Sequence, residues 1–444
     1  MQEKAGHQRD PEQALFPFPG YRPRLAEADI QDALSRRGAV LVEGVRWCGK
    51  TSVALRFASS VLRLDDPDAV TLANADAAEA LRGQAPRLID EWQNAPRLWN
   101  RIRRECDDRA RPGQFILTGS ASPGEDITRH TGTGRIARVT LRPMSLFETG
   151  ASDGSVPLAG VFDGETYARA AREDLGLRHT AEWICVGGWP ANLQAPSVES
   201  ARLSASDHLR ESVQADVPDA AGVGHDREAL MTLARSVARN VSSEARASTL
   251  ATDMSAAEGG TEAVAAAVWP QTVAQYLAAL RRVFLLEDQP AWGVHLQSRA
   301  VLRKAPKRHF VDPSLAAAAL GATPRRLLAE PKTLGLLFES LVVRDLRIYS
   351  QPQRAAVYHY RDSDDLKVDA IIARDDGAWL AVEVKLSHSP KVVDQAAHSL
   401  HRLQARVAPD RRTDLAGLLV VTARGPAYRR PDGIQVVPAT ALGP

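Results

Sequence analysis

The segment from Gly44 to Thr51 limits what this chain can fold into more than any other part of its sequence. It reads GVRWCGKT and satisfies the phosphate-binding pattern G-x-x-x-x-G-K-[ST]. An apolar run at residues 39–42 precedes the segment, and an apolar-periodic stretch at residues 52–58 follows it. Because such a loop works between a strand and a helix, this context predicts a P-loop in an α/β domain.

The loop predicts a site for a nucleoside triphosphate, with ATP and Mg²⁺ as the expected ligands. Backbone N–H groups at the start of the following helix would face the phosphates. Lys50 would neutralise the β- and γ-phosphates, and the Thr51 hydroxyl would ligate Mg²⁺. A glycine turn with an incidental Lys-Thr pair is the alternative. The predicted nucleotide-binding residues of this segment are Gly44, Val45, Arg46, Trp47, Cys48, Gly49, Lys50, Thr51 and Ser52.

Further polar residues end the apolar runs that follow the loop. Asp90 and Glu91 end the run at residues 88–91; Asp90 would hold Mg²⁺ and Glu91 would act as the general base for water. At the end of the next run, either Thr118 or Ser120 would sense the γ-phosphate. Arg135 would act as an arginine finger at a phosphate of the same or a neighbouring subunit, and a surface salt bridge is its alternative role.

Alternating apolar and helix-like stretches predict a mostly parallel sheet between residues 37 and 143. The five strand candidates are Ala39–Glu43, Val61–Asp65, Arg87–Glu91, Gln114–Gly119 and Arg135–Leu141. Residues 165–245 read as helical around a turn at Gly187–Pro190. Pro270 then opens an amphipathic helix that, with the helix candidate at 247–254 and a strand at 284–288, resembles a winged helix-turn-helix; domain packing is the alternative role for such helices.

Two alternating strands near the end of the chain form a second candidate site. They span residues 368–372 and 379–385 around a short turn. If Asp376 is the centre of a three-residue loop, Asp369 faces Glu383, and Lys385 lies on the same side of the sheet. Facing Cβ atoms are ~5 Å apart, so the two carboxylates would share a divalent cation or pair with the lysine. A solvated salt bridge is the alternative.

Several longer strings resemble one known group of proteins. They are GVRWCGKT, LIDEWQNAP, FILTGSASP and GRIARVTLRPMSLFE, and the likeness extends from Tyr21 through nearly the whole chain. The strings resemble those of prokaryotic AAA+ ATPases that carry a C-terminal restriction-endonuclease-like domain of unknown function. This resemblance implies an AAA+ strand order, a helical and winged-helix middle region, and ATP as the nucleotide.

The order of Asp369, Glu383 and Lys385 likewise resembles the active site of the PD-(D/E)XK nucleases. The resemblance implies that Asp369 and Glu383 bind Mg²⁺ and that Lys385 positions or activates the attacking water. Glu339, on a helix predicted over residues 334–348, matches the helical glutamate of many such nucleases. Lys367 departs from the pattern, because relatives usually have a glutamate there; a basic residue would weaken metal binding or meet a phosphate.

These observations lead to one expected organisation and two expected functions. The fold class is α/β, with a flexible tail at 1–20, an AAA+ P-loop domain at 21–150, a helical and winged-helix region at 151–325, and a nuclease-like domain at 326–444. The first function is Mg²⁺-dependent ATP hydrolysis coupled to a nuclease-like domain that acts on, or is regulated by, DNA or RNA. The alternative is an ATP-dependent switch that binds a partner without cleaving. A homo-oligomer is a further expectation.

The composition excludes several other classes of protein. Of the 444 residues, 44% are apolar and 25% are charged, and the net charge of +2 provides no overall attraction for nucleic acid. No apolar run is long enough to cross a bilayer, and the first twenty residues are charged where a signal peptide would be apolar. Cys48, Cys106 and Cys185 lie too far apart for a zinc or disulfide pattern. We therefore expect a cytoplasmic protein with no membrane partner.

Overall fold

The computed structural model describes residues 20–120, 132–170, 176–217, 226–257, 269–293 and 305–444. The chain forms two compact units, one ending at Leu141 and one running from Arg142 to Pro444. The tail expected at residues 1–20 falls outside the described residues except for Gly20. The predicted boundary between a middle and a C-terminal domain lies within the second unit and stays a prediction.

The first unit is a five-stranded sheet with helices, as the sequence predicts. All four strand pairings are parallel, and the order β2-β3-β4-β1-β5 brings the carboxyl ends of β1, β4 and β3 side by side at one edge. Ligands of parallel sheets bind beyond this edge. The strands are β1 Ala39–Glu43, β2 Ser60–Arg63, β3 Arg87–Asp90, β4 Phe115–Gly119 and β5 Ile136–Thr140; the helices are α1 Ala26–Arg36, α2 Lys50–Leu55, α3 Pro67–Ala75, α4 Ala77–Ala80 and α5 Leu98–Arg109.

Helix α5 shows why these residues form a layer on the sheet. Its apolar residues Leu98, Trp99, Ile102 and Cys106 recur at helical spacing and are buried, while Asn100, arginines and acids occupy the other positions. The apolar face packs in one core with Phe115 and neighbouring side chains of the sheet. Burial of each large side chain contributes roughly 1.5–3 kcal/mol, so this face fixes the helix on the sheet.

The middle region is mainly helical, as expected for residues 165–245. Its helices are α6 Leu146–Thr149, α7 Leu158–Phe162, α8 Leu177–Val186, α9 Val198–Glu211, α10 Arg227–Arg239, α11 Ala247–Ala257, α12 Pro270–Arg282, α13 Pro313–Ala319 and α14 Pro324–Ala329. Two pairs of short strands accompany them: β6 Val156–Pro157 with β15 Leu442–Gly443, and β7 Leu286–Gln289 with β8 Lys307–Phe310. Every residue of β8 is buried. The order of α11, α12 and β7 is the predicted one, and a winged-helix fold stays a prediction. Within the described ranges, no helix combines the length and apolar character needed to cross a bilayer.

A six-stranded mixed sheet forms the last part of the chain. The first three strands are antiparallel neighbours, and β11, β12 and β14 are parallel. The elements are β9 Ala355–Arg361, β10 Lys367–Arg374, β11 Trp379–Lys385, β12 Leu415–Thr422, β13 Tyr428–Arg429 and β14 Gln435–Pro438, with helices α15 Pro331–Ser350, α16 Pro390–Arg406 and α17 Pro409–Arg412. Ala370 pairs with Val382, which is the register predicted for this hairpin. The restriction-endonuclease-like type of this domain stays a prediction.

A buried ion cluster connects helix α15 with segments of the middle region. Arg344 on α15 bonds Asp312 at 2.7 Å and Asp345 at 2.7 Å, and all three side chains are buried. Asp312 also accepts the Gly188 N–H at 2.9 Å, and Asp345 accepts the Leu146 N–H at 3.1 Å. The glycine turn after α8 and the first residue of α6 are therefore hydrogen-bonded to this cluster on helix α15.

Candidate functional site

The P-loop has the backbone shape that its glycines allow. Gly44 has a φ of 155° and Gly49 a φ of 100° at the start of α2, and both angles favour glycine. A Cβ atom on Gly44 would lie 2.1 Å from the Leu141 carbonyl oxygen. Trp47 also has a positive φ, and its side chain is 53% exposed. The two glycines are thus required by the turn that presents the loop beyond β1.

Buried hydrogen bonds fix the conformation of the P-loop. The Arg24 guanidinium donates to the Cys48 carbonyl at 2.8 Å, and the Cys48 thiol donates to the Leu141 carbonyl at 3.3 Å. Burial raises the pKa of this thiol, which keeps its proton in place. Lys50 is 4% exposed, and its amine donates to the Val45 carbonyl at 2.9 Å. The positive charge of Lys50 therefore lies inside the turn of the loop.

Asp90 collects hydrogen bonds from two predicted site residues. The Thr51 hydroxyl donates to Asp90 Oδ1 at 2.8 Å, and the Thr118 hydroxyl donates to the same oxygen. Oxygens that ligate Mg²⁺ at ~2.1 Å in adjacent octahedral positions lie ~3.0 Å apart. The separation of the Thr51 and Asp90 oxygens therefore fits a shared Mg²⁺ ion, and these two residues would hold it.

The Glu91 carboxylate is held by neighbouring side chains. Glu91 has a φ of 53°, and its N–H donates to Thr118 Oγ1 at 3.2 Å. Its carboxylate accepts bonds from the Gln93 amide and from the Ser120 hydroxyl, the latter at 3.3 Å. Of the two sensor candidates, Thr118 is fully buried and its hydroxyl donates to Asp90, whereas Ser120 is partly exposed beside Glu91. A sensor role for either residue stays a prediction.

Arg135 lies at the end of the sheet where the parallel strands begin, opposite the end that carries the P-loop. It immediately precedes β5, whose first residue Ile136 pairs with Ala39, the first residue of β1, whereas the P-loop follows the last. Its guanidinium donates to Asp107 at 2.8 Å, which is the salt-bridge alternative. Five strand residues span ~16 Å, so the structure does not bring Arg135 together with the P-loop of its own chain. A role at a neighbouring subunit stays a prediction.

The second predicted site is also brought together in space. Lys385 Nζ donates to Asp369 Oδ2 at 3.2 Å and to Glu383. Asp369 also accepts the Val384 N–H at 2.9 Å. Glu383 is buried, and its carboxyl group is hydrogen-bonded to the Lys385 amine.

Lys307 is a member of this group that the sequence does not reveal. Its amine lies 2.7 Å from Glu339 Oε1 and 3.7 Å from Asp369 Oδ1, and the residue is 6% exposed. We call Glu339, Asp369, Glu383, Lys307 and Lys385 the C-terminal acidic cluster. It combines three carboxylates with two ammonium groups. Lys367 is the residue that departs from the nuclease pattern. Its Nζ atom lies 3.6 Å from Asp365 Oδ1, and its side chain is half exposed.

The charges of the C-terminal acidic cluster depend on burial and on one another. Burial, reinforced by the Asp369 charge, raises the pKa of Glu383 to about 8 and that of Glu339 to about 7. Burial also acts to raise the pKa of Asp369, but Lys385 and Lys307 together lower it below its usual range. Asp369 is thus the constant negative charge of the cluster.

The C-terminal acidic cluster does not fit the divalent site expected of Asp369 and Glu383. Ammonium nitrogens of Lys307 and Lys385 lie beside both oxygens of Asp369. In the part of the chain that the structure describes, no three acidic, His or Cys side chains are arranged to hold a metal ion. A divalent cation here would meet two positive charges at close range.

Three residues that contribute to the two sites belong to no sequence motif named above. Gln93 lies two residues after Glu91, but an amide at that position has no motif of its own. Arg24 precedes the first helix in a Pro-rich stretch and acts through a loop carbonyl. Lys307 belongs to a four-residue strand with three basic residues, a composition that predicts a surface position. Of these three residues, only Gln93 lies next to a recognisable motif, the Asp90-Glu91 pair.

Three family models match separate parts of the chain. One described as an AAA domain matches residues 36–150, and two described as domains of unknown function (DUF8612 and DUF4143) match residues 177–326 and 334–442. The first match includes the P-loop, Asp90, Glu91 and Thr118. Together with the parallel sheet, it identifies the N-terminal part as an AAA-type P-loop domain and supports an ATP-binding ATPase.

Individual proteins are also similar to this chain. Uncharacterized protein Mb2031c of Mycobacterium bovis and Uncharacterized protein Rv2008c of Mycobacterium tuberculosis are each 25% identical to it over 393 residues, which is 87% of this chain and 79% of theirs. Among solved structures, the Walker-type ATPase PABY2304 of Pyrococcus abyssi is 13% identical, with a TM-score of 0.41; the match covers 66% of this chain and 94% of that one.

Proposed function

Starting from an AAA-type P-loop domain, we propose that this chain binds ATP with Mg²⁺, hydrolyses it at Glu91, and uses nucleotide occupancy as a switch. The observation that carries the proposal is the shared hydrogen bonding of Asp90 with Thr51 and Thr118. These hydrogen bonds place the Thr51 hydroxyl of the P-loop beside the Asp90 carboxylate of β3, as binding of a Mg²⁺-bound triphosphate requires.

The residues of the loop supply binding and charge neutralisation. On binding, the Lys50 amine exchanges the Val45 carbonyl for the β- and γ-phosphate oxygens, and the N–H groups at the start of α2 donate to the phosphates. When bound, Mg²⁺ supplies charge stabilisation for the phosphate oxygens. Thr51 and Asp90 would hold the ion in a fixed position, because the Thr118 hydroxyl fixes the Asp90 carboxylate.

Glu91 performs the proton transfer. Its carboxylate accepts a proton from a water molecule as the water oxygen bonds to the γ-phosphorus and the bond from that phosphorus to the β-phosphate oxygen breaks. Such a general base contributes typically 10²–10⁴-fold to a rate. In the resting arrangement, Gln93 and Ser120 hold this carboxylate, so activation requires its release from the Gln93 amide.

Of the two outputs that the sequence leaves open, we propose the switch without cleavage. The contacts of Lys307 with Glu339 and Asp369 support this choice, because they neutralise carboxylates that a metal-dependent nuclease needs free. Partner or nucleic-acid binding by residues 334–442 remains part of the proposal. Coupling of ATP hydrolysis to DNA or RNA cleavage is the second candidate, supported by the convergence of Asp369, Glu383 and Lys385.

The test is the ATP turnover rate with Mg²⁺, measured with and without single- and double-stranded DNA and RNA. We expect Glu91→Gln to retain ATP and lose about 10²–10⁴-fold in turnover, and Lys50→Ala to lose about a hundredfold in affinity. Glu79→Gln, an acid exposed near the end of α4, is the matched control and should match wild type. Indifference to nucleic acid supports the switch; stimulation together with Mg²⁺-dependent cleavage would favour the nuclease.

A further inference from the structure

Trp47 of the P-loop has both an unfavourable backbone conformation and an exposed aromatic side chain. Its φ is 68°, and its side chain is 53% exposed. A single exposed apolar side chain is ordinary on a protein surface. A bulky residue at positive φ is a genuine outlier, because its Cβ atom crowds the backbone. The two features together require an explanation.

A glycine would be the ordinary residue at position 47. Three residues of the loop have a positive φ, and the other two, Gly44 and Gly49, are glycines. Glycine adopts such angles without a steric penalty. The phosphate-binding pattern G-x-x-x-x-G-K-[ST] accepts any residue at position 47. Phosphate binding by the loop therefore does not account for an indole at this position.

The neighbours of Trp47 fix its backbone. The Cys48 carbonyl accepts the Arg24 guanidinium at 2.8 Å, and the Cys48 thiol donates to the Leu141 carbonyl at 3.3 Å. Val45, two residues before Trp47, is also buried. Strained residues persist where the surrounding structure fixes them, and they cluster at sites that bind ligands. The indole thus stays at the surface of the loop, beside the phosphate-binding turn.

We propose that the Trp47 indole stacks on the base of the bound nucleotide and thereby raises the affinity of the site for nucleoside triphosphates relative to inorganic triphosphate. The N–H groups of the loop bind phosphates, which both ligands contain. Only the nucleotide carries a base, whose flat face suits an aromatic side chain. Stacking would bury exposed indole surface, which offsets the cost of the backbone conformation. This inference rests on the proposed nucleotide binding.

The experiment compares two ligands of full-length protein by calorimetry in the presence of Mg²⁺. One is the non-hydrolysable β,γ-imido analogue of ATP, and the other is inorganic tripolyphosphate. We expect Trp47→Ala to weaken binding of the analogue about 5- to 150-fold, which is the range for loss of one base–aromatic stack. The affinity of this variant for tripolyphosphate should equal that of wild type.

Three further variants separate the indole from the backbone. Trp47→Phe keeps an aromatic face and should retain most of the affinity for the analogue. Trp47→Gly removes the indole and also relieves the positive φ. It should lose as much affinity for the analogue as Trp47→Ala, which it replaces if that variant does not fold. Trp269→Ala is the matched control, because Trp269 is 73% exposed and belongs to the second unit; it should bind both ligands as wild type does.

Tryptophan fluorescence provides a readout that a purely structural role would not change. In wild type, the analogue should quench the emission more than tripolyphosphate does, because only the analogue brings a base against the indole. This difference between the two ligands should disappear in Trp47→Phe, although that variant still binds the analogue.

Two results would overturn the inference. In the first, folded Trp47→Ala or Trp47→Gly binds the analogue as tightly as wild type. In the second, both variants lose the same affinity for tripolyphosphate as for the analogue, which would show that the side chain acts only through the shape of the loop. The proposed function fails separately, if wild-type protein binds neither ligand. Wild-type binding without any effect of Trp47 leaves the proposed function intact.

Discussion

The Asp90 carboxylate is the residue-scale centre of the nucleotide site, because two hydroxyls from different elements donate to it. Thr51 belongs to the helix after the P-loop and Thr118 to β4. Hydrogen bonds to a charged group stabilise by ~1.5–3 kcal/mol, which is more than a neutral pair provides. The buried Thr118 therefore sets the direction in which Asp90 presents its oxygens.

Replacement of Thr118 by valine tests this orienting role. Thr118→Val keeps the shape but removes the donor, so we expect ATP turnover to fall about ten- to a hundredfold while ATP affinity changes little. Steady-state kinetics with a separate binding measurement provide the check. Thr71→Val on the exposed face of α3 is the control. A loss of affinity with unchanged turnover would contradict the assignment.

Gln93 holds the proposed base in the resting arrangement. Its amide donates to the Glu91 carboxylate, and removal of the amide frees that carboxylate to face the attacking water. We expect Gln93→Ala to raise basal ATP turnover several-fold, and the Gln93→Ala/Glu91→Gln double variant to be as slow as Glu91→Gln alone. If Gln93→Ala instead slows turnover as much as Glu91→Gln does, Gln93 is part of the active arrangement.

At the scale of elements, helix α15 carries a buried ion pair that connects it to other segments of the second unit. Arg344 joins Asp312, which precedes α13, to Asp345, its own neighbour on the helix. Because these acids also accept N–H groups from Gly188 and Leu146, one guanidinium supports several segments. Removal of one partner leaves uncompensated buried charge.

We therefore expect Arg344→Ala to lower the free energy of unfolding by ~3–5 kcal/mol. Arg210→Ala is the matched control, since Arg210 forms an ion pair with Asp207 in which both side chains are more than half exposed. It should change stability by no more than ~0.5 kcal/mol. Urea denaturation followed by circular dichroism measures both. Equal effects of the two substitutions would show that the buried cluster has no special role.

The sequence predicts the five parallel strands of the first unit and the hairpin of β10 and β11, but it does not predict β9, β12, β13, β14 or strand β8. The five parallel strands are rich in apolar residues, and the hairpin register follows from the turn near Asp376. Strand β8, by contrast, reads Lys-Arg-His-Phe, which indicates an exposed segment. It is buried because Glu339, Gln289 and Ser340 provide partners from distant parts of the chain. No local pattern contains those partners.

In the candidate sites too, the sequence reveals residues within short motifs but not partners from distant parts of the chain. The P-loop, Asp90 and Glu91 are recognisable because their chemistry requires fixed spacing within short segments. The sequence places Thr118 at a strand end, but its burial depends on the packing of the whole sheet. The amine of Lys307 decides the charge of the C-terminal acidic cluster, and only the folded chain brings it there.

At the scale of the whole molecule, we expect ATP turnover to require divalent metal ions and the stability of the fold not to require them. Removal of divalent ions with EDTA should stop ATP turnover, because Thr51 and Asp90 lose the ion that they would share. The melting temperature of the nucleotide-free protein should stay unchanged, since Lys307 and Lys385 already neutralise the C-terminal acidic cluster. Differential scanning calorimetry makes the comparison. A lower melting temperature in EDTA would indicate a structural divalent ion.

The most direct test of the central claim is a single-turnover measurement with enzyme in excess over radiolabelled ATP and Mg²⁺. The account predicts that wild-type protein releases phosphate in one exponential phase. Glu91→Gln should bind the same ATP but release phosphate about 10²–10⁴-fold more slowly. Phosphate release by Glu91→Gln at the wild-type rate would contradict the claim that this P-loop site hydrolyses ATP through Glu91.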